Sequence, residues 1–299
     1  MEHHHDHEHH SGEINRVFLI GIGLNLVYVV LQAIIGLRIS SLSLLADAGH
    51  NFLDVSGLAL SMLALKLTRT KATRKFTYGF KKSSILISLL NTVILLVSIG
   101  AIGYESISRF QHPEELPGKM IALIALIGIV VNGGSAFLFF RERDKDLNIK
   151  SAFLHLFSDT LISLGLVFGG ILIYFTNWYW IDPLLSLVIC SVIVWSTWNL
   201  LKSSLYLSMD GVPEGLDTDQ IKSLILNVVG IEDVHHLHIW AISTNENAMT
   251  GHLVVSKEAS SDQISKIRAE VKQLLKTLNI QHCTLETESG NILCDDENC

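Results

Sequence analysis

The sequence predicts an α-helical membrane protein, six transmembrane helices followed by a C-terminal cytosolic α+β domain. Three observations carry this. Hydrophobic residues make up 49% of the 299 and mean hydropathy is +0.40, whereas a soluble domain of this size carries more charge. Apolar runs of about 20 residues, enough to cross a bilayer, recur six times. The charge balance then shifts: residues 1–207 hold 16 Lys/Arg against 14 Asp/Glu, and residues 208–299 hold 6 against 15. The expected division is a His-rich cytosolic segment (1–13), a transmembrane domain (14–207) and a cytosolic domain with a Cys-containing tail (208–299).

In chain order, the apolar runs are Val17 to Leu37, Leu42 to Leu65, Ser83 to Ile102, Met120 to Phe140, Ala152 to Phe175 and Ile181 to Leu201. Between the second and third lie Lys66, Arg69, Lys71, Arg74, Lys75, Lys81 and Lys82; between the fourth and fifth lie Arg141, Arg143, Lys145 and Lys150. The other connections are poor in Lys and Arg, so the positive-inside rule places both basic loops, both termini and the acidic tail in the cytoplasm of a multi-pass cell-membrane protein. Trp178, Tyr179 and Trp180 mark the outer interface. The first run follows an acidic, histidine-rich start with no cationic region or small-residue cleavage site, which argues against a signal peptide.

Beyond Ser208 the periodicity changes. Thr218 to Val229 reads as an amphipathic helix, Asp233 to Ser243 and Met249 to Val255 as strands, Asp262 to Leu278 as a helix and His282 to Thr287 as a third strand. This αββαβ order makes a small domain whose two helices cover one face of a three-stranded sheet. Its acidity disfavours nucleic acid and suits attraction of cations.

The candidate site lies within the apolar runs. His50 precedes Asp54 by four residues on the second, and His155 precedes Asp159 by four on the fifth. Four residues is a little over one helical turn, so each pair occupies one helix face, and two facing helices can present two imidazoles and two carboxylates to one point. Each ionisable group at bilayer depth costs roughly 2.5 to 3.5 kcal/mol, and a divalent cation supplies the missing partner. Zinc accepts this donor set in a tetrahedral shell. Metal and protons compete for these groups, because histidine must be neutral to bind. Asp47 shares the stripe of His50, Asn51 and Asp54 and adjoins the site. Asn25, Gln32 and Asn132 read first as contacts between helices, with a direct role as the alternative.

Six spans together with "LLADAGHNFLD", "YGFKKSS", "FLHLFSD" and "VHHLHIWAIS" resemble the cation diffusion facilitator family, over about Ile14 to Glu288. Among its members the chain is most similar to the zinc-type bacterial branch of cadmium, cobalt and zinc efflux proteins. The resemblance implies a homodimeric antiporter moving zinc and other divalent cations, cadmium and cobalt among them, out of the cytoplasm in exchange for protons. It also implies a ferredoxin-like cytosolic domain. The family's transport site falls on His50, Asp54, His155 and Asp159, with His at position 50 favouring zinc over manganese. Its charge interlock falls on Lys82 and Asp210, with Lys81 a substitute. Its cytosolic zinc sites point to His238, His252 and Glu288, with His235 and His282 in a neighbouring site and Gln281 or His282 as the third-strand ligand. Zinc is thereby expected both as substrate and as regulatory ligand.

Strict strand alternation puts His236 with His238 on one face and His235 on the other. Cys283, Cys294 and Cys299 read as soft ligands of a capture site in the tail. "RERDKDLNIK" holds no histidine, so any metal-gathering role falls to the histidines of Met1 to His10. Among other functions, a membrane zinc hydrolase is disfavoured: it needs an open water position and a base such as that of His-Glu-x-x-His, which is absent. A metal sensor that does not transport is the alternative.

Overall fold

The computed structural model describes residues 9–140 and 147–289. The histidine-rich residues 1–8, the basic residues Arg141, Arg143 and Lys145, and Cys294 and Cys299 lie outside the described residues. The chain divides into two compact units, residues 1–59 with 91–198 and residues 60–90 with 199–299.

The elements follow the expected order: α1 (His9–Ile39), α2 (Leu42–Thr68), α3 (Ser83–Gln111), α4 (Gly118–Phe140), α5 (Leu147–Thr176) and α6 (Ile181–Ser208), then α7 (Thr218–Leu226), β1 (Ile231–Ala241), β2 (Asn247–Val255), α8 (Ser261–Thr277) and β3 (Ile280–Ser289). Among the described residues five helices are long and apolar enough to cross a membrane: α2, α3, α6 and the stretches Gly118–Phe137 of α4 and Phe153–Thr176 of α5. Helix α1 adds a shorter apolar stretch, Gly23–Ile39.

In the first unit Leu44, Ile99, Ile121, Leu166, Ile173 and Ile193 are fully buried, while Val97, Tyr104, Val130, Phe137 and Trp195 are exposed. Helices apolar on every side are those of a membrane span. Two features of this unit position the ligand helices. At the crossing of α4 and α5, a side chain on Gly118 would strike the Gly170 carbonyl oxygen, and one on Gly170 would come within 2.5 Å of the Ala122 amide nitrogen. Glycine at both positions lets the backbones touch, the small-residue packing that membrane helices use. At the start of α2, the fully buried Asp182 of α6 accepts hydrogen bonds from Ser41 Oγ at 2.6 Å, the Leu42 amide at 2.8 Å, the Ser43 amide at 3.4 Å and Ser43 Oγ. This carboxylate satisfies orphan donors of the α2 N-terminus and sits at the positive end of its dipole. Ser40, in the left-handed region at φ 57°, turns the chain into α2, and its carbonyl accepts from Arg109 of α3.

The second unit contains the three-stranded sheet, ordered β1-β2-β3. β1 pairs antiparallel with β2, and β3, reached through α8, pairs parallel with β2. Ile221 and Ile225 of α7 and Val271 and Leu275 of α8 are buried with Val234, Met249, Leu253 and Ile280 of the strands. Asp217 caps α7 through the amides of Asp219 and Gln220. Ser260 and Gln263 cap α8 in a reciprocal box, each satisfying a donor the helix leaves open. Lys82 pairs with Asp210, and Lys81 pairs with Glu246 at 2.5 Å. The two lysines therefore each have their own carboxylate.

The regular alternation expected along Asp233 to Ser243 is not kept. His235 pairs with His252 and His238 with Thr250, so His236 and Leu237 face Gly251 alone. This is a β-bulge. His236 adopts φ 51°, and a side chain on Gly251 would meet Leu237 Cδ2 at 2.6 Å, so glycine opposite the bulge gives the extra residue room.

Candidate metal centre

On α2 and α5 the four residues singled out by their spacing come together. His50 Nε2 lies 3.6 Å from Asp54 Oδ2 and 3.5 Å from Asp159 Oδ1. His155 Nε2 lies 3.3 Å from Asp54 Oδ2 and 3.6 Å from Asp159 Oδ2. Both histidines present Nε2, and their rings meet edge to face at 79°. A tetrahedral shell with bonds of about 2.0 to 2.2 Å has edges of about 3.3 to 3.6 Å between ligands. The four His-to-Asp distances fall in that range, with His50 and His155 meeting different oxygens of Asp159. Among the described residues, His50, His155 and Asp159 offer ligand atoms all within 4.8 Å of one another, and Asp54 adds an oxygen near both imidazoles.

Burial separates the four. The Asp159 and His50 side chains are 2% and 13% exposed, those of Asp54 and His155 34% and 46%. The shell therefore has a closed side and an open side from which an ion can enter. Asp54 Oδ2 and Asp159 Oδ1 are buried without a hydrogen-bond partner, although buried carboxylate oxygens are ordinarily satisfied. A cation at the centre would satisfy them.

Asp47 is not among the residues whose ligand atoms gather with His50, His155 and Asp159. It accepts hydrogen bonds from Gln32 Nε2 at 2.7 Å and Asn51 Nδ2 at 3.2 Å, so Gln32 joins α1 to α2 as a helix contact. Asn132 is fully buried, and neither its side-chain oxygen nor its nitrogen has a partner.

In the second unit a different group forms. The rings of His235, His236 and His252 lie with centroids 5.1 to 5.3 Å apart, and each can offer a nitrogen within 4.8 Å of the others. Glu288 joins them, with His252 Nδ1 at 2.5 Å from Oε1 and His235 Nε2 at 3.4 Å from Oε2. Three imidazoles and a carboxylate suffice for a divalent ion.

His236, absent from the expected ligand set, enters because the bulge shifts the strand's parity. His238, expected as a ligand, is exposed and is not in this group. The sequence did carry a signal for the bulge. Val234 and Ile239 are both buried, and apolar residues an odd number apart cannot face the same core from a regular strand.

His282 is elsewhere, 3.7 Å from Glu246 and ring to ring with Tyr78. Cys283 packs against the domain core rather than with the histidines. Burial raises its thiol pKa, with Lys272 and Lys276 acting in the opposite direction.

Comparison with known proteins follows the same division of the chain. Residues 18–207 match the cation efflux transmembrane domain, and residues 213–289 match the cation efflux protein cytoplasmic domain. A cadmium, cobalt and zinc/H(+)-K(+) antiporter of Bacillus subtilis is 35% identical over 296 residues, covering 96% of this chain and 95% of the relative. The zinc transporter ZitB of Escherichia coli is 31% identical over 297 residues, 96% and 93% of the two chains. The metal cation efflux system protein CzcD of Cupriavidus metallidurans is 30% identical over 285 residues, 95% and 89%.

Proposed function

The chain belongs to the cation efflux family, membrane transporters rather than enzymes, and from that premise we propose that it exports zinc, with cadmium and cobalt as further substrates. The driving exchange is with monovalent cations, protons first and, as in the name of the Bacillus relative, potassium. The observation that carries this reading is that each imidazole Nε2 lies 3.3 to 3.6 Å from both carboxylates, a spacing close to that between ligands of a tetrahedral ion. His50, Asp54, His155 and Asp159 hold the transported ion. Their two negative charges nearly neutralise a divalent ion, and protonation of the histidines expels it.

The same proposal covers the assembly. Helix α1, whose sequence is apolar from Val17 to Leu37, completes six spans in the cell membrane, with both termini in the cytoplasm. The protein acts as a homodimer, divided into segments 1–13, 14–207 and 208–299, with the last a ferredoxin-like domain joined through the Lys82–Asp210 pair. Zinc at His235, His236, His252 and Glu288 acts as regulatory ligand, biasing the dimer toward one access state by binding that state more tightly.

Purified dimer in liposomes, loaded with zinc, cadmium, cobalt or manganese under an imposed pH gradient, tests the reading. Zinc should enter vesicles whose tail domains face outward, with acidification of the bath. Zinc binding without flux would identify a sensor instead.

A further inference from the structure

Asp47 is a fully buried carboxylate on a membrane helix, and among the described residues no ion pair is formed by it. Its partners are neutral: the Gln32 amide at 2.7 Å and the Asn51 amide at 3.2 Å. Both amides are themselves buried, Gln32 at 0% and Asn51 at 1% exposure. In each, the nitrogen reaches Asp47 while the oxygen, Gln32 Oε1 or Asn51 Oδ1, is buried with no hydrogen-bond partner. Covalent geometry holds each of those oxygens beside the nitrogen that touches the carboxylate. The titratable groups within electrostatic reach are Tyr28 on α1, His50 on α2 and Asp159 on α5.

A permanent structural carboxylate in a membrane helix is matched by a fixed cation or, as at Asp182, by several hydroxyl and backbone donors at a helix start. Amides serve a different purpose. Through N–H they stabilise a bare carboxylate, and through C=O, after rotation about the terminal torsion, they accept from a protonated one or coordinate a small cation. A carboxylate flanked by two unpaired amide oxygens is an all-oxygen donor set, suited to a proton or an alkali cation and poorly suited to a soft metal.

Resting on the antiport reading, we infer that Asp47, Gln32 and Asn51 form a binding pocket for the monovalent counter-cation, separate from the zinc quartet. With zinc bound, Asp47 is bare. On zinc release it takes one proton from outside water, forming an O–H bond that breaks on delivery to the cytoplasm, or one potassium ion, with no covalent change.

Zinc titration calorimetry on the detergent-solubilised dimer tests this, run in buffers of different ionisation heat to count protons released per zinc, and across KCl concentrations at constant ionic strength. In Asp47→Asn, the proton arm predicts that release falls by about one proton per zinc. The potassium arm predicts unchanged release and loss of the KCl dependence seen in wild type. Should Asp47→Asn fail to fold, Gln32→Met keeps the carboxylate and must shift the pH or KCl concentration at which the linked release is half complete. Wild-type proton release and wild-type KCl dependence in the folded variant would overturn the inference and leave a static seam between helices. Parallel liposome assays separate the two readings. Wild-type zinc flux indifferent to both pH and potassium gradients removes antiport itself, whereas gradient-driven wild-type flux with unaltered linkage in the variant removes only the Asp47 pocket.

Discussion

The quartet on α2 and α5 and the cluster on the sheet are built from the same chemistry by different backbones. Each sets imidazole nitrogens beside carboxylate oxygens, at 3.3 to 3.6 Å in the quartet and at 2.5 and 3.4 Å in the cluster. In the quartet a four-residue spacing sets each pair, and the helix needs no further help to aim both side chains. In the sheet, side chains aim by parity, and a regular β1 would split His235 from His236. Only the bulge, with His236 at φ 51°, gathers them beside His252. A helical site can therefore be written in a local pattern, while a sheet site also needs register and irregularity. Both sites hold buried carboxylate oxygens with no hydrogen-bond partner, Asp54 Oδ2 and Asp159 Oδ1 in one and Glu288 Oε2 in the other, although the second oxygen of Glu288 lies 2.5 Å from His252.

The largest expected effect falls on the quartet. Asp159→Ala removes the most buried ligand and should abolish zinc flux into liposomes while the protein still elutes as a folded dimer; flux at the wild-type rate would break the contrast between transport and regulatory sites. Next comes the sheet cluster, where Glu288→Gln keeps the shape but loses the charge. Zinc flux should persist at saturation, and the zinc concentration for half-maximal flux should rise about fivefold or more, the usual scale of coupling between sites. An identical concentration dependence would leave the cluster without a regulatory role.

A smaller effect isolates the backbone. His236→Gly removes a ring but relieves the left-handed conformation, which costs a side-chain-bearing residue about 1 kcal/mol or more. The second unit should therefore melt higher than wild type without zinc and gain less from zinc. His236→Val should melt lower in both conditions. If Gly and Val behave alike, the bulge is not under strain. The smallest effect belongs to His238→Ala: its exposed side chain lies outside the cluster, so stability should stay within about 0.5 kcal/mol and the zinc response should match wild type. A shifted zinc response there would restore His238 as a ligand.

Much of this was legible from local pattern. The spacing of His50 with Asp54 and of His155 with Asp159, and the αββαβ order, follow from periodicities that neighbouring residues decide. What was not legible depends on partners distant in sequence. Asp182 reaches Ser41, 141 residues away, and no local rule pairs a carboxylate at one helix start with another helix's amides. The contact of Gly118 with Gly170 is likewise invisible before α4 and α5 are docked. His238 is expected on resemblance alone, and the parity break between Val234 and Ile239 is what brings His236 beside His235 and His252. Cys283 was read by its neighbours in sequence, yet its packing against the domain core decides its chemistry.

The capping of α2 by Asp182 also makes that helix a lever with its fulcrum at the N-terminal end. Asp54 lies about 18 Å along the axis from Leu42 and His50 about 12 Å, at 1.5 Å per residue. A tilt of about 10° about the pinned end would carry Asp54 by about 3 Å and His50 by about 2 Å. The first displacement is nearly a whole edge of the shell, which measures 3.3 Å between Asp54 and His155. Under such a swing the ligands of α2 part from the ion in sequence, Asp54 ahead of His50. A small rotation at the rim then suffices to open the shell stepwise.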